Sequence, residues 1–326
     1  MEYKVSLIVP VYKVESYIEK CVRSIFEQSL LSLQIIFIDD YSPDNSIDIL
    51  KNVLKDYPQR TADTFFLQNE QNKGASVSRN VGLEFAKGEY IAFCDADDWM
   101  EKNTLEAMYQ SISSENSDII WTDFYYTAPD NETLQKQNIT EKKEECIKAL
   151  MSEKMHGALW NKMYKQSLFF ENKIRFPEGR DMWEDLCTNI QLFYFTKKIT
   201  YLPRAFYHYI QYNANSIGSS ALNEKKLSDI IENTNTIEFF LTEKKVSHLY
   251  EKEVFFLKLA AKQNLLFTCD KNNFEEWKVI YPESNKYIMK FKALPIHLRI
   301  IGWATTHEIW PLVDLWVYLK RNKNKK

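Results

Sequence analysis

Over roughly the first hundred residues, short unbroken apolar runs alternate with stretches whose apolar residues return every three or four positions. Val5-Ser6-Leu7-Ile8-Val9 is such a run, stopped by Pro10-Val11-Tyr12. Gln34 to Ile38, Phe65-Phe66-Leu67 and Tyr90 to Cys94 repeat it, each too short for a helix, and each reads as a buried strand. Between them Ile18, Cys21, Val22, Ile25 and Phe26, then Ile47, Leu50, Val53 and Leu54, then Ala75 to Phe85, carry helical spacing. Ser16 precedes Glu19 by a capping-box interval, and Asp44 stands where a helix cap is expected. Such alternation predicts an α/β domain with a mostly parallel sheet, flanked by helices and connected by right-handed crossovers.

Further on, Ile119 to Trp121 reads as another strand, and Thr122 to Glu144, polar and without period, as a loop. Leu186, Ile190, Phe193 and Tyr194 mark a helix with Glu184 and Asp185 in its first turn, where acids also suit the helix dipole. Beyond residue 222 the chain turns helical. Leu227, Ile230, Ile231, Ile237 and Leu241 form one stripe, and Val254, Leu257, Ala261 and Leu265 another. From Ile296 to Leu319 four aromatic residues, Trp303, Trp310, Trp316 and Tyr318, mix with His297, Arg299, His307, Glu308 and Asp314, ahead of the tail Lys320-Arg321-Asn322-Lys323-Asn324-Lys325-Lys326. Charges interrupt this segment too often for a bilayer-spanning helix, which needs about 20 apolar residues. Two readings stay open for 296–326: an amphipathic segment lying on an anionic leaflet, and a helix packed on the domain with a solvated tail.

Composition adds little to the fold and more to the setting. A chain of 326 residues with 45% hydrophobic content and a net charge of −3 is an ordinary globular protein with nothing that points to nucleic acid. Cys21, Cys94, Cys146, Cys187 and Cys269 are odd in number and far apart, which argues against a disulfide frame or zinc site and for a reducing compartment. Met1-Glu2-Tyr3-Lys4 leads straight into a strand without a signal-peptide layout, so a cytoplasmic protein is expected, with peripheral attachment to the membrane's cytoplasmic face as an option left by 296–326.

The candidate chemistry lies at the strand ends. Pro10 to Tyr12, Asp39-Asp40 and Asp95-Ala96-Asp97-Asp98 each follow a predicted strand, the rim where open α/β sheets bind ligands. Three carboxylates within four positions repel one another unless a cation sits among them. Oxygen ligands alone select hard ions such as Mg²⁺ or Mn²⁺, which share their shell with substrate phosphates. Gly74, Gly82 and Gly88, three of only seven glycines, precede this cluster, where close backbone approach is useful. No Gly-x-Gly-x-x-Gly follows the first strand and no Gly-x-x-x-x-Gly-Lys-Ser/Thr occurs, so neither a dinucleotide nor a P-loop reading has support. A metal-bridged nucleoside diphosphate remains.

Four segments, Val5 to Tyr12, Asp39-Asp40-Tyr41-Ser42-Pro43-Asp44, Asn72-Lys73-Gly74-Ala75-Ser76-Val77-Ser78-Arg79-Asn80-Val81-Gly82 and Gly88 to Asp98, together resemble the family-2 glycosyltransferases of the GT-A fold, over roughly the first 215 residues. The resemblance implies a GT-A domain at 1–222, with a nucleotide-sugar half at 1–125 and an acceptor half at 126–222, followed by a helical region at 223–326. It implies that Pro10, Tyr12 and Asp40 line the base pocket, that Arg79 lies near the donor, that Asp95 faces ribose and metal, and that Asp97 holds the metal. Glu184-Asp185 matches the pair that carries the general base, assigned to Asp185. His208, in Tyr207-His208-Tyr209, could complete a metal shell, although a histidine in an aromatic strand is more often structural. Arg180 is a candidate partner for the acids or for a phosphate. Asn215-Ser216-Ile217 resembles the segment that closes the domain. Two departures stand out: Tyr41-Ser42-Pro43-Asp44 replaces the usual Gly-Ser-Thr-Asp, and Ile210 stands where an arginine is common.

The activity implied is a metal-dependent, inverting transfer of a hexosyl or N-acetylhexosaminyl group from a nucleotide-sugar, a UDP-sugar by expectation, to a glycan or lipid-linked glycan. The setting implied is capsule, lipopolysaccharide or exopolysaccharide synthesis. Two other readings compete. A sugar nucleotidyltransferase would need a Gly-x-Gly-x-Arg turn where Pro10-Val11-Tyr12 stands, and a non-catalytic assembly subunit has no need of the acids that are present.

Overall fold

The structure is a computed structural model that describes residues 3–213, 222–268 and 270–323. Asn215-Ser216-Ile217, Cys269 and the end of the basic tail lie outside the described residues. The chain divides into two units, Met1–Ile147 with Met155–Ala221, and Lys148–Lys154 with Leu222–Lys326.

In the first unit, β1 (Val5–Val11), α1 (Ile18–Phe26), β2 (Leu33–Asp39), α2 (Ser46–Leu54), β3 (Thr64–Gln68), α3 (Ala75–Phe85) and β4 (Tyr90–Phe93) alternate as the pattern predicts. There follow β5 (Trp99–Met100), α4 (Thr104–Glu115), β6 (Ile119–Thr127), β7 (Glu132–Gln135), α5 (Lys143–Met151), which runs into the second unit, β8 (Lys162–Lys165), α6 (Gln166–Glu171), α7 (Glu184–Phe195) and β9 (Ile199–Ile210). The sheet has the order β3-β2-β1-β4-β8-β6-β9-β5, with β7 paired to β6. All seven residues of β2 are buried, which explains the unbroken apolar runs: helices cover both faces of a parallel sheet.

The sheet is mixed, with its longest ladders, β1–β2, β2–β3 and β6–β9, parallel as expected. β1, β2, β3 and β4 pair in parallel, but β8 enters antiparallel between β4 and β6, and β5 and β7 also pair antiparallel. The crossover through α4 sets β6 one strand away from β4, and the chain fills the gap later with β8 running the opposite way. The segment expected as a loop from Thr122 to Glu144 continues β6 to Thr127, turns back as β7 and enters α5. The capping box also fails. The N-cap of α1 is Tyr17 with no side-chain bond, and Glu19 instead accepts from Arg23 at 2.9 Å. Asp44 lies one residue ahead of the α2 N-cap Asn45 and takes the Ser46 hydroxyl at 2.6 Å.

The second unit contains α8 (Glu224–Glu243), α9 (Glu251–Lys262), α10 (Lys271–Val279), α11 (Ile296–Thr306) and α12 (Trp310–Lys323). Leu227, Ile230, Ile237 and Leu241 face its interior, as the stripe predicts, with Phe274, Trp277, Ile288 and Ala304. No described helix is long and apolar enough to cross a membrane.

One glycine fixes the approach of β4 to β1. The Ser6 hydroxyl donates to Gln34 Oε1 at 2.6 Å and accepts from the Gly88 N–H at 2.8 Å. A Cβ on Gly88 would meet the Ser6 backbone nitrogen at 2.4 Å and the Val5 carbonyl carbon at 2.6 Å, so a side chain there forces two strands apart. Gly88→Ala is therefore expected to destabilise the protein by about 1–3 kcal/mol, the cost of overpacking a filled site, read as a lower denaturant midpoint.

Candidate active site

The C-terminal ends of β1, β2 and β4 open on a cavity of about 600 Å³, within the size range of small-ligand sites. Pro10, Tyr12, Asp40, Arg79, Asp95, Asp97, Glu184 and Asp185, eight of the ten residues singled out from sequence, line it; His208 and Arg180 do not. They come from segments separated by up to 175 positions, gathered because a sheet of parallel strands delivers its loops to one edge.

Arg79, on α3, is the centre of the constellation. Its guanidinium lies 2.7 Å from Glu184 and 3.2 Å from Asp95, with the arginine side chain 9% exposed. Burial works against its charge, but Glu184 and Asp95 more than offset this and hold the group above its ordinary range. Its Nε is buried without a hydrogen-bond partner among the described residues. Glu184, expected as a companion of the base, is thus paired with Arg79. The Arg180 carbonyl accepts from Ser76.

Asp185 keeps part of its surface open to the cavity while the rest of the carboxyl is enclosed by protein. Burial, then repulsion from Glu184, pushes its pKa up to about 7, although Arg79 pulls the other way. The turn that presents it is held in an uncommon conformation: Trp183, at the N-cap of α7, has φ 66°. Gly74 (φ +85°) packs against the same segment, and a Cβ there would come within 2.5 Å of Asp181 Oδ1. Only a glycine fits.

Of the three acids after β4, two face the cavity. Asp97 accepts from Asn213 at 2.8 Å, and burial together with Asp95 raises its pKa. Asp98 is buried behind them, accepting from the Tyr207 hydroxyl at 2.9 Å and the Ile210 N–H at 2.8 Å, so it anchors β9. Asp40 is buried and accepts from Asn69, Lys73 N–H and Gly74 N–H at 2.7 to 2.9 Å. Among the described residues its Oδ2 accepts only from Gly74, which leaves a lone pair for a ligand.

His208 does not fit the metal role. It is absent from the cavity lining, stacked against Trp99 at 3.4 Å, and both ring nitrogens are taken, Nδ1 by Glu132 at 2.7 Å and Nε2 by Glu101 at 3.2 Å. The structure adds residues that the motifs did not single out: His156, Trp160, Asp181, Trp183, Tyr209 and Asn213 also line the cavity. Trp160 stacks on Tyr207 at 4.4 Å, and Tyr207 in turn accepts from the Asp95 N–H. The sequence signal was slight, an aromatic residue next to Asn161-Lys162 and another next to Glu184.

The residues fit a divalent cation. Asp95 and Asp97 are hard oxygen donors two positions apart, and Asp97 is raised by burial and by its neighbour's charge, which a cation would relieve. Among the described residues no three of His, Cys, Asp and Glu close on one point, so other ligands would have to complete the shell.

A model described as glycosyl transferase family 2 matches residues 6–172, about half of the chain. The chain is 31% identical over 224 residues to glycosyltransferase GlyA of Streptococcus pneumoniae serotype 4, covering 63% of this chain and 30% of GlyA. It is 28% identical over 275 residues to the cholesterol galactosyltransferase of Borreliella burgdorferi, covering 78% and 73%. Of EpsH and EpsJ from Bacillus subtilis the match spans 60% and 62%, so the chain covers less than two thirds of these relatives and of GlyA. Staphylococcus aureus TarS 1–349, solved with UDP, superposes with a TM-score of 0.69 at 20% identity over 95% of this chain and 90% of that one. Its complex with UDP-GlcNAc gives 0.65 at 21%, over 97% and 89%. These structural likenesses establish the GT-A fold. With the family model spanning both the strand-end motifs and β8, the chain belongs to glycosyl transferase family 2.

Proposed function

We propose that this protein transfers a sugar from a nucleotide-sugar, with a UDP-sugar as the first choice, to a hydroxyl of a cell-surface glycan or a lipid-linked precursor. The observation that carries this reading is the single cavity that holds Asp40, Arg79, Asp95 and Asp97 together with Asp185. Likeness to TarS, solved with UDP and with UDP-GlcNAc, supports the donor class.

Asp40, Pro10 and Tyr12 would take the base and ribose end. Asp95 and Asp97 would hold Mg²⁺ or Mn²⁺, which when bound neutralises charge on the leaving diphosphate. Arg79 would add its positive charge beside the diphosphate, and its two ion pairs hold Asp95 and α7 in fixed relation. Asp185 would accept the proton of the attacking hydroxyl. A carboxylate with a pKa near 7 is well matched to that task, because it binds the proton strongly enough to pull it and still starts ionised above neutrality. Attack from the Asp185 side, with departure toward Asp97, would invert the anomeric carbon.

A UDP-, GDP- and dTDP-sugar panel, run with and without Mn²⁺ and read by nucleotide release, tests the reading. Pyrophosphate as product would favour a nucleotidyltransferase instead. Asp97→Ala is expected to lower metal-dependent turnover roughly 10²–10³-fold, and full activity in chelator would rule out the metal. Asp185→Asn is expected to lower kcat roughly 10²–10⁴-fold with donor binding retained. Because the base must be ionised, kcat/KM of the wild type should rise between pH 6 and 8 with its midpoint near 7 and level off above that range. A flat profile over that range would remove Asp185 from the role.

The second unit supports a location for the reaction. Ile296, Ile300 and Trp303 lie exposed at helical spacing on α11, Leu315, Tyr318 and Leu319 are exposed on α12, and the basic tail follows. An apolar face beside basic residues suits the surface of an anionic membrane, on the cytoplasmic side by the expectation from sequence. Sedimentation with phosphatidylglycerol vesicles, but not phosphatidylcholine vesicles, is the expected result. High salt or Leu315→Glu with Tyr318→Glu should abolish it.

A further inference from the structure

His156 is the least explained polar group in the cavity. Its backbone is fixed at both ends: the N–H donates to Gln137 Oε1 at 2.8 Å and the carbonyl accepts from Lys162 Nζ at 2.8 Å. Lys162 is fully buried at the start of β8, and its ammonium also donates to the Ala158 carbonyl at 2.6 Å and to Asn161 Oδ1 at 2.8 Å. Asn189, one turn after Asp185 on α7, donates to the Gly157 carbonyl at 2.6 Å. The strip 156–158 is thereby tied to the helix that carries Asp185, and a ring on that strip keeps its place relative to the carboxylate.

The imidazole itself is set in one state. The Ala158 N–H donates to Nδ1 at 3.2 Å, so Nδ1 carries no proton. Burial, and then the charge of Lys162, push the pKa down to about 4, so the ring is neutral across the working range. A neutral imidazole with Nδ1 as acceptor has its proton on Nε2. Nε2 has no hydrogen-bond partner among the described residues, and it is not among the sealed, unpartnered polar atoms. The ring stands 5.3 Å from Trp160 and 6.2 Å from Tyr209, two aromatic rings that line the same cavity.

We propose that His156 positions the acceptor, its Nε2–H donating to a ring hydroxyl of an acceptor glycoside adjacent to the hydroxyl that attacks. The inference rests on the transfer reading above and adds to it the group that selects the acceptor. Asp181, Glu184 and Asp185, which line the same cavity, present carboxylates, and Arg79 is paired with its acids, so none of these four offers a neutral donor as His156 does. A neutral donor suits a sugar hydroxyl, and the rings beside it suit the apolar face of a pyranose.

Two substitutions separate this role from a structural one. His156→Asn keeps an acceptor for the Ala158 N–H and deletes the far donor, whereas His156→Gln extends an amide N–H to the position of Nε2. Transfer from the donor found in the nucleotide panel is measured to phenyl β-glucoside, phenyl β-galactoside and phenyl β-N-acetylglucosaminide, alongside nucleotide release with no glycoside present. His156→Asn is expected to raise the acceptor KM, or lower kcat/KM for the glycoside, roughly 10-fold or more, the cost of leaving one hydroxyl unpaired. Donor KM and glycoside-independent nucleotide release should stay at wild-type values, and His156→Gln should recover most of the loss. Unchanged acceptor kinetics in His156→Asn, equal impairment in both variants, or a wild type that releases nucleotide yet uses none of the glycosides would each overturn the proposal. If the wild type released no nucleotide from any donor, the transfer reading would fall and this one with it.

Discussion

The buried guanidinium of Arg79 is the constraint on which the site depends. It joins Glu184, 105 positions later in the chain, to Asp95 just past β4, with ion-pair distances of 2.7 and 3.2 Å. Removing one partner of such a group leaves a charge in a poorly solvated place, which costs several kcal/mol, so the three side chains are kept as a set. The geometry that follows is specific. Arg79 rides on α3, whose approach to the sheet is set by Gly82: a Cβ there would meet Ile8 Cγ2 at 2.5 Å. The distance between the metal-side acids and the proposed base is in this way governed by how closely one helix lies on β1.

The same packing explains what could be read from the chain and what could not. α3 is legible to the residue, Ala75 to Phe85, because its helical spacing is uninterrupted and a glycine precedes it. β8 was not legible, because it begins with Lys162, a residue type that is seldom buried, and here every proton of its ammonium is matched by an oxygen. β9 hides for another reason. Pro203 and Arg204 sit at a register irregularity where β6 and β9 lose their pairing, and they break the apolar pattern that marks a strand.

Asp95 and Asp97 were readable as a pair because acids at a strand end need a reason to be there. Asp98 has the same chemistry one position on, yet it turns inward to Tyr207 and Ile210, and no periodicity separates a ligand from an anchor when both are aspartates. His208 was misread as a candidate ligand because its aromatic neighbours gave no hint that Glu101 and Glu132 would claim both nitrogens. His156 left no mark in the sequence, a lone histidine between Met155 and Gly157, and its state depends on a lysine six positions away. Side-chain protonation and tautomer are set by tertiary neighbours, which a local pattern does not contain.

The charge on the cavity wall bears on how an anionic donor could enter it. Asp40, Asp95, Asp97, Asp181, Glu184 and Asp185 all line it, against Arg79 and Lys13. Backbone N–H groups offset Asp40, and Arg79 offsets Glu184 and part of Asp95. Asp97 is left with a neutral amide as its partner, in a place where burial already disfavours its charge. A diphosphate brought beside it unaided would add repulsion to a carboxylate that is short of solvent. A divalent ion held at Asp97, as proposed, would remove both costs at once. Asp185, on the same cavity wall and only partly exposed, has its pKa pushed up to about 7 by its own burial, which is the condition the proposed proton acceptor would need.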